Sequence, residues 1–191
     1  MVDLASHLNN KFFLSLYASN KLAEIISISL IKKGNTFVKK GKINTKEYIV
    51  LNGICRSYIV SASDAEVTLS FFPSNTAISP NLTRTVSNNS ILNIETLTDV
   101  QLATFSSEDL MNLMTTNREI EGWANAVLQK ELLQKVKKEI NQNSLKAKER
   151  LLNFRDQYPA LENLIPHTYI ASYLGISNVS LSRLRKELSN S

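Results

Sequence analysis

The sequence predicts an α+β chain in which helices flank a β-rich middle, and three observations predict it. Leu4, Leu8, Phe12 and Leu16 recur at the spacing of one helix face near the N-terminus. From Ile31 to Phe105, short β-branched and aromatic runs are separated by glycine and asparagine turns. After Ser106 the helical spacing returns, ending in two short apolar stripes on either side of Gly175.

Residues 2–31 are expected to be helical, since Leu22, Ile25, Ile26 and Leu30 continue the pattern and Asn20 offers a cap for a second piece. Tyr48–Leu51 and Cys55–Val60 read as strands joined at Asn52-Gly53, a hairpin signal. Ala65–Phe72 follows a turn at Ser63-Asp64, with Val67, Leu69 and Phe71 on one face. Ser90–Leu97 and Val100–Phe105 supply further strands, and such a series suggests a small closed or sandwiched β structure. Ser106 and Ser107 cap a short helix, Glu108–Met114, with acids at its positive end. Arg118–Asn141 carries no proline and reads as one long helix. Its stripe is Ile120, Trp123, Val127, Leu133, Val136 and Ile140, interrupted by Lys130. Asn141-Gln142-Asn143 breaks the pattern, Ser144 caps a helix over Leu145–Tyr158, and Pro159 ends it. Ala147, Leu151 and Phe154 or Tyr158 point inward there, and Leu161, Leu164 and Ile165 close a small core.

In the last stretch, Ile170, Ala171 and Leu174 stripe one helix and Leu181, Leu184 and Leu188 a second. Gly175 stands where the first must stop, because glycine enters the left-handed conformation without a side-chain clash. Ser177 can cap the second, and small Ala171 lets the two cross closely. This is the sequence form of a helix-turn-helix that reads the major groove, with Asn178, Val179, Ser182, Arg183 and Lys186 on the outer face. Arginine can pair with guanine, asparagine with adenine, and a small apolar group with a thymine methyl. An ordinary helical hairpin with a solvated face would show the same spacing.

The totals bound the function. A net charge of +5 and a pI near 9.3 suit a polyanionic partner. The densest basic run is Lys32, Lys33, Lys39, Lys40, Lys42 and Lys46. It reads as solvated loop and strand edges, or as a second contact to bent DNA or to RNA polymerase. No run is apolar enough to span a membrane, and the first residues lack the pattern of a secretory signal. A single cysteine, Cys55, fits a reducing cytoplasm and reads as an inert core thiol. One cysteine and two distant histidines, His7 and His167, exclude a zinc finger or a cysteine-ligated iron–sulfur cluster. No phosphate loop, nucleophile elbow, HExxH pair or dinucleotide fingerprint is present, so no enzyme, metal or cofactor is expected.

The segment Tyr169–Lys186, "YIASYLGISNVSLSRLRK", resembles the C-terminal reader of the cyclic-AMP receptor/FNR superfamily of bacterial transcription regulators, in a form like that of Bacteroidetes members. "AKERLLNFRDQYPALENLIP" resembles the family's approach to that reader. Val50-Leu51-Asn52-Gly53-Ile54-Cys55-Arg56 matches its "V-x-x-G-x-x-R" element. The resemblance covers nearly the whole chain. It implies an N-terminal cyclic-nucleotide-binding-like β jelly roll over residues 1–117, a dimerisation helix over 118–142 and a winged-helix-like helix-turn-helix over 143–191. The sequence stops at Ser191, where relatives continue into a wing, so the wing is read as truncated.

What the resemblance implies for function is a homodimer that binds double-stranded DNA. His167, Thr168 and Ser180 would hold phosphates, and Arg183, with Asn178 and Val179, would read bases. The family's phosphate-binding cassette needs a Gly-Glu pair and then an arginine followed by two small residues, since the arginine neutralises the cyclic phosphate. Neither is found here, and standard cyclic-AMP binding is not expected. Asn75, Thr76, Arg84, Asn88 and Asn89 are the polar groups a different, unnamed effector would meet; they also read as plain loop residues. The rival reading is an interaction or metabolite-sensing module with a degenerate sensor that never binds DNA.

Overall fold

The computed structural model describes residues 3–78 and 88–189. The chain forms two compact units, one of residues 1–55 and 72–132, the other of residues 56–71 and 133–191.

The first unit opens with α1 (Leu4–Phe12), capped by the Asp3 carboxylate, and α2 (Leu16–Glu24), capped by Ser15. The helical reading of residues 2–31 fails at its end: β1 (Ser27–Ile31) is a strand. Ser-Ile-Ser-Leu alternates as well as it fits a helix, and pairing with β8 (Val100–Ser106) decides between them. The cap expected at Asn20 falls inside α2, and Ser15 takes that role.

β2 (Thr36–Val38), β3 (Lys46–Asn52), β6 (Thr76–Ile78) and β7 (Asn93–Thr96) complete the strands of this unit. One antiparallel sheet has the order β1-β8-β3-β6, with Ile49 opposite Ala103 and a register shift between Val50 and Asn52. β2 pairs with β7 in a second antiparallel sheet. The chain does not fold back as a hairpin at Asn52-Gly53, because β3 pairs with β8 and β6 instead. Gly53 has φ of 98°, and an added Cβ would lie 2.5 Å from the carbonyl oxygen of Asp99. Only glycine fits there.

The outer face of the first sheet is covered by α1, α2, α3 (Ser107–Thr116) and the start of α4 (Arg118–Ser144). Leu8, Leu22, Ile49, Ala103, Phe105, Leu110 and Ile120 form the core there. Phe12 meets Trp123 edge-on at 5.9 Å. At 27 residues, α4 runs about 40 Å and passes the break expected at Asn141–Asn143.

The second unit contains β4 (Cys55–Val60, of which Arg56 onward belongs here), β5 (Glu66–Phe72, to Phe71), α5 (Ala147–Gln157), a single 3-10 turn (Leu161–Asn163), α6 (His167–Leu174) and α7 (Asn178–Ser189). Asp64 takes φ of 60° in the tight turn between β4 and β5. On β5, Phe71 of the expected apolar face is buried and Val67 and Leu69 are half-buried, while Thr68 on the other face is buried too. The residue preceding α5 is Lys146, not Ser144, and Glu149 returns its carboxylate to the Lys146 amide at 2.8 Å. Phe71, Phe154, Tyr158 and Tyr173 form a four-ring cluster with centroids 5.3–6.1 Å apart. Such contacts add to the burial of ring area. Leu151, Leu161 and Ile165 join this core, whereas Leu164 is exposed.

Candidate nucleic-acid interface

The α6–α7 pair is built by local chemistry. Pro166 precedes α6, Gly175 ends it with φ of 66°, and its amide donates back to Ala171 and Ser172. Ser177 accepts from the Ser180 amide at 3.1 Å and opens α7. Ile170, Ala171, Leu174 and Leu181 are buried between the helices and α5, and Leu184 and Leu188 are half-buried.

α6 is fastened to the β4–β5 hairpin by its other side. The Ser172 hydroxyl donates to the Glu66 carbonyl at 3.0 Å and accepts from the Thr68 amide at 2.9 Å. The Arg56 guanidinium is fully buried, 3.5 Å from the centre of the Tyr169 ring and 4.5 Å from that of Tyr58. It donates to Thr68 Oγ1 at 3.1 Å and pairs with Glu66. A desolvated cation stacked between two rings gains from both ring faces. The Lys138 ammonium on α4 donates to the Leu69 carbonyl at 2.8 Å and sits 4.0 Å over the Tyr173 ring.

These attachments leave the far side of α7 in solvent. Asn178, Val179, Ser180, Ser182, Arg183 and Lys186 are all exposed. Among the described residues, neither the Arg183 nor the Lys186 side chain has an acidic partner. Arg185 is different. Its Nε donates to Glu162 Oε1 at 2.5 Å, and Arg155 Nε donates to Glu162 Oε2 at 2.6 Å. Burial raises the Glu162 pKa, but the two guanidinium groups outweigh it and hold the carboxyl below its ordinary value. Arg185 Nη1 also lies 3.1 Å from His167 Nδ1. Arginine can only donate, so Nδ1 is the acceptor and Nε2 carries the proton facing outward. His167 and Thr168 are exposed at the start of α6. The Ser180 hydroxyl is shared with Ser177 at 2.9 Å.

The expected dimer stripe divides. Leu133, Val136 and Ile140 are exposed on α4, and Leu132 beside them is exposed too. Trp123 and Val127 are half-buried. Ile120 is fully buried in the core of its own chain, which takes it out of the exposed stripe.

The expected effector residues fall in two places. Asn75, with φ of 63°, donates its amide to the Val50 carbonyl at 2.7 Å, and Thr76 begins β6. Asn88 accepts from the Asn44 amide at 2.8 Å, and Asn89 bridges Ile43. Arg84 lies outside the described residues. None of the four described residues lines the cleft of about 460 Å³ found in the first unit, which is bordered by Phe37, Lys39, Lys42, Lys46 and Tyr48. Sequence reading missed the roles of Arg56, Glu66, Glu162 and Ser172. Arg56 alone carried a signal, as a charge at the start of an apolar strand.

Among the described residues, no group of His, Cys, Asp or Glu could hold a metal ion, and no helix is long and apolar enough to cross a membrane. No protein-family model matches the chain, and no curated protein sequence matches it. Solved structures do. FixK2 from Bradyrhizobium japonicum superposes with a TM-score of 0.76 at 16% identity, over 87% of this chain and 85% of that one. The c-di-GMP-responsive global regulator CLP from Xanthomonas campestris gives 0.72 at 18%, over 91% of both chains. A transcriptional regulator of the CRP/FNR family from Eubacterium rectale gives 0.69 at 19%, over 95% of this chain and 86% of that one. The chain therefore has the fold of CRP/FNR regulators.

Proposed function

We propose that the chain is a transcription regulator of the CRP/FNR type that binds duplex DNA through α7. The observation that carries this is the outer face of α7. It presents a guanidinium, an ammonium, an amide, two hydroxyls and a small apolar side chain to solvent, while on the opposite face Leu181 is buried and Leu184 and Leu188 are half-buried. Arg183, Asn178 and Val179 suit base edges in the major groove. Thr168, His167 Nε2 and the open amides at the start of α6 suit phosphate oxygens, and Lys186 and Ser180 flank them. The fold shared with known regulators supports the same reading.

The jelly roll would serve as sensor and the α6–α7 pair as a helix-turn-helix reader. Leu133, Val136 and Ile140 recur at coiled-coil spacing on the exposed side of α4 and would pair with the same residues of a second copy. Two copies would then offer two copies of α7 to major grooves about one helical turn apart. Such a protein works in the cytoplasm. Any effector would be something other than cyclic AMP held in the family's usual manner.

The test is enrichment of bound sequences from a random duplex library, then fluorescence anisotropy with the selected duplex at two salt concentrations. A palindromic consensus is expected. Contact with six phosphates or more would lower affinity by about a thousandfold between roughly 50 and 200 mM salt. Enrichment of no sequence, with affinity insensitive to salt, would refute the reading.

A further inference from the structure

The second unit holds a cleft of about 590 Å³ framed by α4, α5 and α6. We propose that it binds a small organic anion with a flat apolar body, gripped by Lys137, Lys138 and Arg150 and bordered by Phe154 and Tyr173. This binding stands apart from the reading of DNA and does not depend on it.

The size lies within the range of roughly 300–1,000 Å³ usual for small-molecule sites. Charge selects the sign of the ligand: three cations border the cleft and one carboxylate, Asp156, opposes them. Two of the cations have no acidic partner among the described residues. Arg150 donates Nη1 to the Gln142 and Leu145 carbonyls at 3.2 and 3.3 Å, but its Nε is buried and has no partner. A buried donor on a charged group is costly to leave unmade, and the unneutralised guanidinium favours a carboxylate or phosphate nearby. Lys138 has two backbone carbonyls and a ring face around it but no acidic side chain among the described residues. Burial, with Lys135 nearby, pushes its pKa down to about 7. An anion in the cleft would favour its charged form.

Apolar side chains border the cleft beside the cations. Phe154 and Tyr173 belong to the four-ring cluster and border the cleft with only 2% and 8% of their surface exposed. The side of α4 that borders the cleft, with Gln134, Lys137, Lys138 and Asn141, lies roughly 120° around the helix from Leu133, Val136 and Ile140. Pairing of two chains along that stripe would leave the cleft open. Because Tyr173 sits on α6, a ligand there touches the helix that carries α7.

Calorimetric titration of the full chain with phenyl phosphate, inorganic phosphate and phenol tests this. Phenyl phosphate is expected to saturate, with both other probes weaker by about tenfold or more. Lys137 is exposed and makes no side-chain bond, so Lys137→Gln should keep the fold and weaken phenyl phosphate about threefold. Asp156→Asn should strengthen it by a similar factor, and Arg150→Gln should weaken it about tenfold. No saturation up to about 10 mM phenyl phosphate, a millimolar limit that corresponds to negligible affinity, would overturn the proposal. So would binding that both Lys137→Gln and Asp156→Asn leave unchanged, or inorganic phosphate binding as tightly as phenyl phosphate.

Discussion

Arg183 and Arg185 stand two residues apart on α7 and should behave as opposites. The sequence "RLRK" treats them alike; the structure does not. Arg183 is exposed and unpaired, so Arg183→Ala should alter unfolding free energy by less than about 0.5 kcal/mol. If it reads a base, each half-site loses about 1–3 kcal/mol. Two half-sites give about 2–6 kcal/mol, or about 30-fold to about 20,000-fold in affinity for the selected duplex. Arg185→Ala removes one of the two guanidinium partners of buried Glu162. A bond to a charged group contributes about 1.5–3 kcal/mol, less where the arginine is about a third exposed, as here at 35%, so about 1–2 kcal/mol is expected. With a urea slope of about 2 kcal/mol/M the midpoint should fall by about 0.5–1 M. Base preference should stay as it was. Anisotropy with the selected duplex and with each single-base variant, beside urea unfolding, measures both. If Arg185→Ala relaxed the base preference and Arg183→Ala only lowered the urea midpoint, the face of α7 assigned to DNA would be the wrong one.

Three further outcomes follow from the same structure. Gly53→Ala should lower stability by about 2–3 kcal/mol in urea, since its φ of 98° is strained for alanine and the Asp99 carbonyl stands in the way. Burial pushes the Cys55 thiol up to about 12, so an aromatic disulfide reagent at pH 8 should leave the native chain unlabelled and react once it is unfolded in urea; prompt native labelling would contradict the packing. If two chains pair along the exposed stripe of α4, Val136→Glu should weaken that association by at least about tenfold in sedimentation while leaving urea unfolding of the monomer nearly unchanged, because the side chain is already 44% exposed.

What could be read from sequence was what neighbouring residues decide. Gly175 and Ser177 punctuate α6 and α7 through bonds three to five residues away, and Ser106 caps α3 in the same way. The long helix was legible from its lack of proline, although not its extension through Asn143. Readings that needed a distant partner went astray. Asn52-Gly53 has the composition of a hairpin, yet β3 finds its partners in β6 and β8. Ser27–Ile31 fits helix and strand alike until β8 is known. At the candidate interface the outer face of α7 followed from spacing alone. The division of labour between Arg183 and Arg185 did not, because Glu162 approaches from a separate turn of chain.

The hairpin of residues 56–71 has one more consequence, for anyone who would take this molecule apart. The C-terminal piece looks portable, a short string of helices that could be cut free and grafted elsewhere. Severed at residue 133, it would lose Phe71 from its ring cluster and Arg56 from beneath Tyr169, and bare aromatic surface would be left seeking company. Such a fragment is expected to clump, and a working graft must bring those sixteen residues with it.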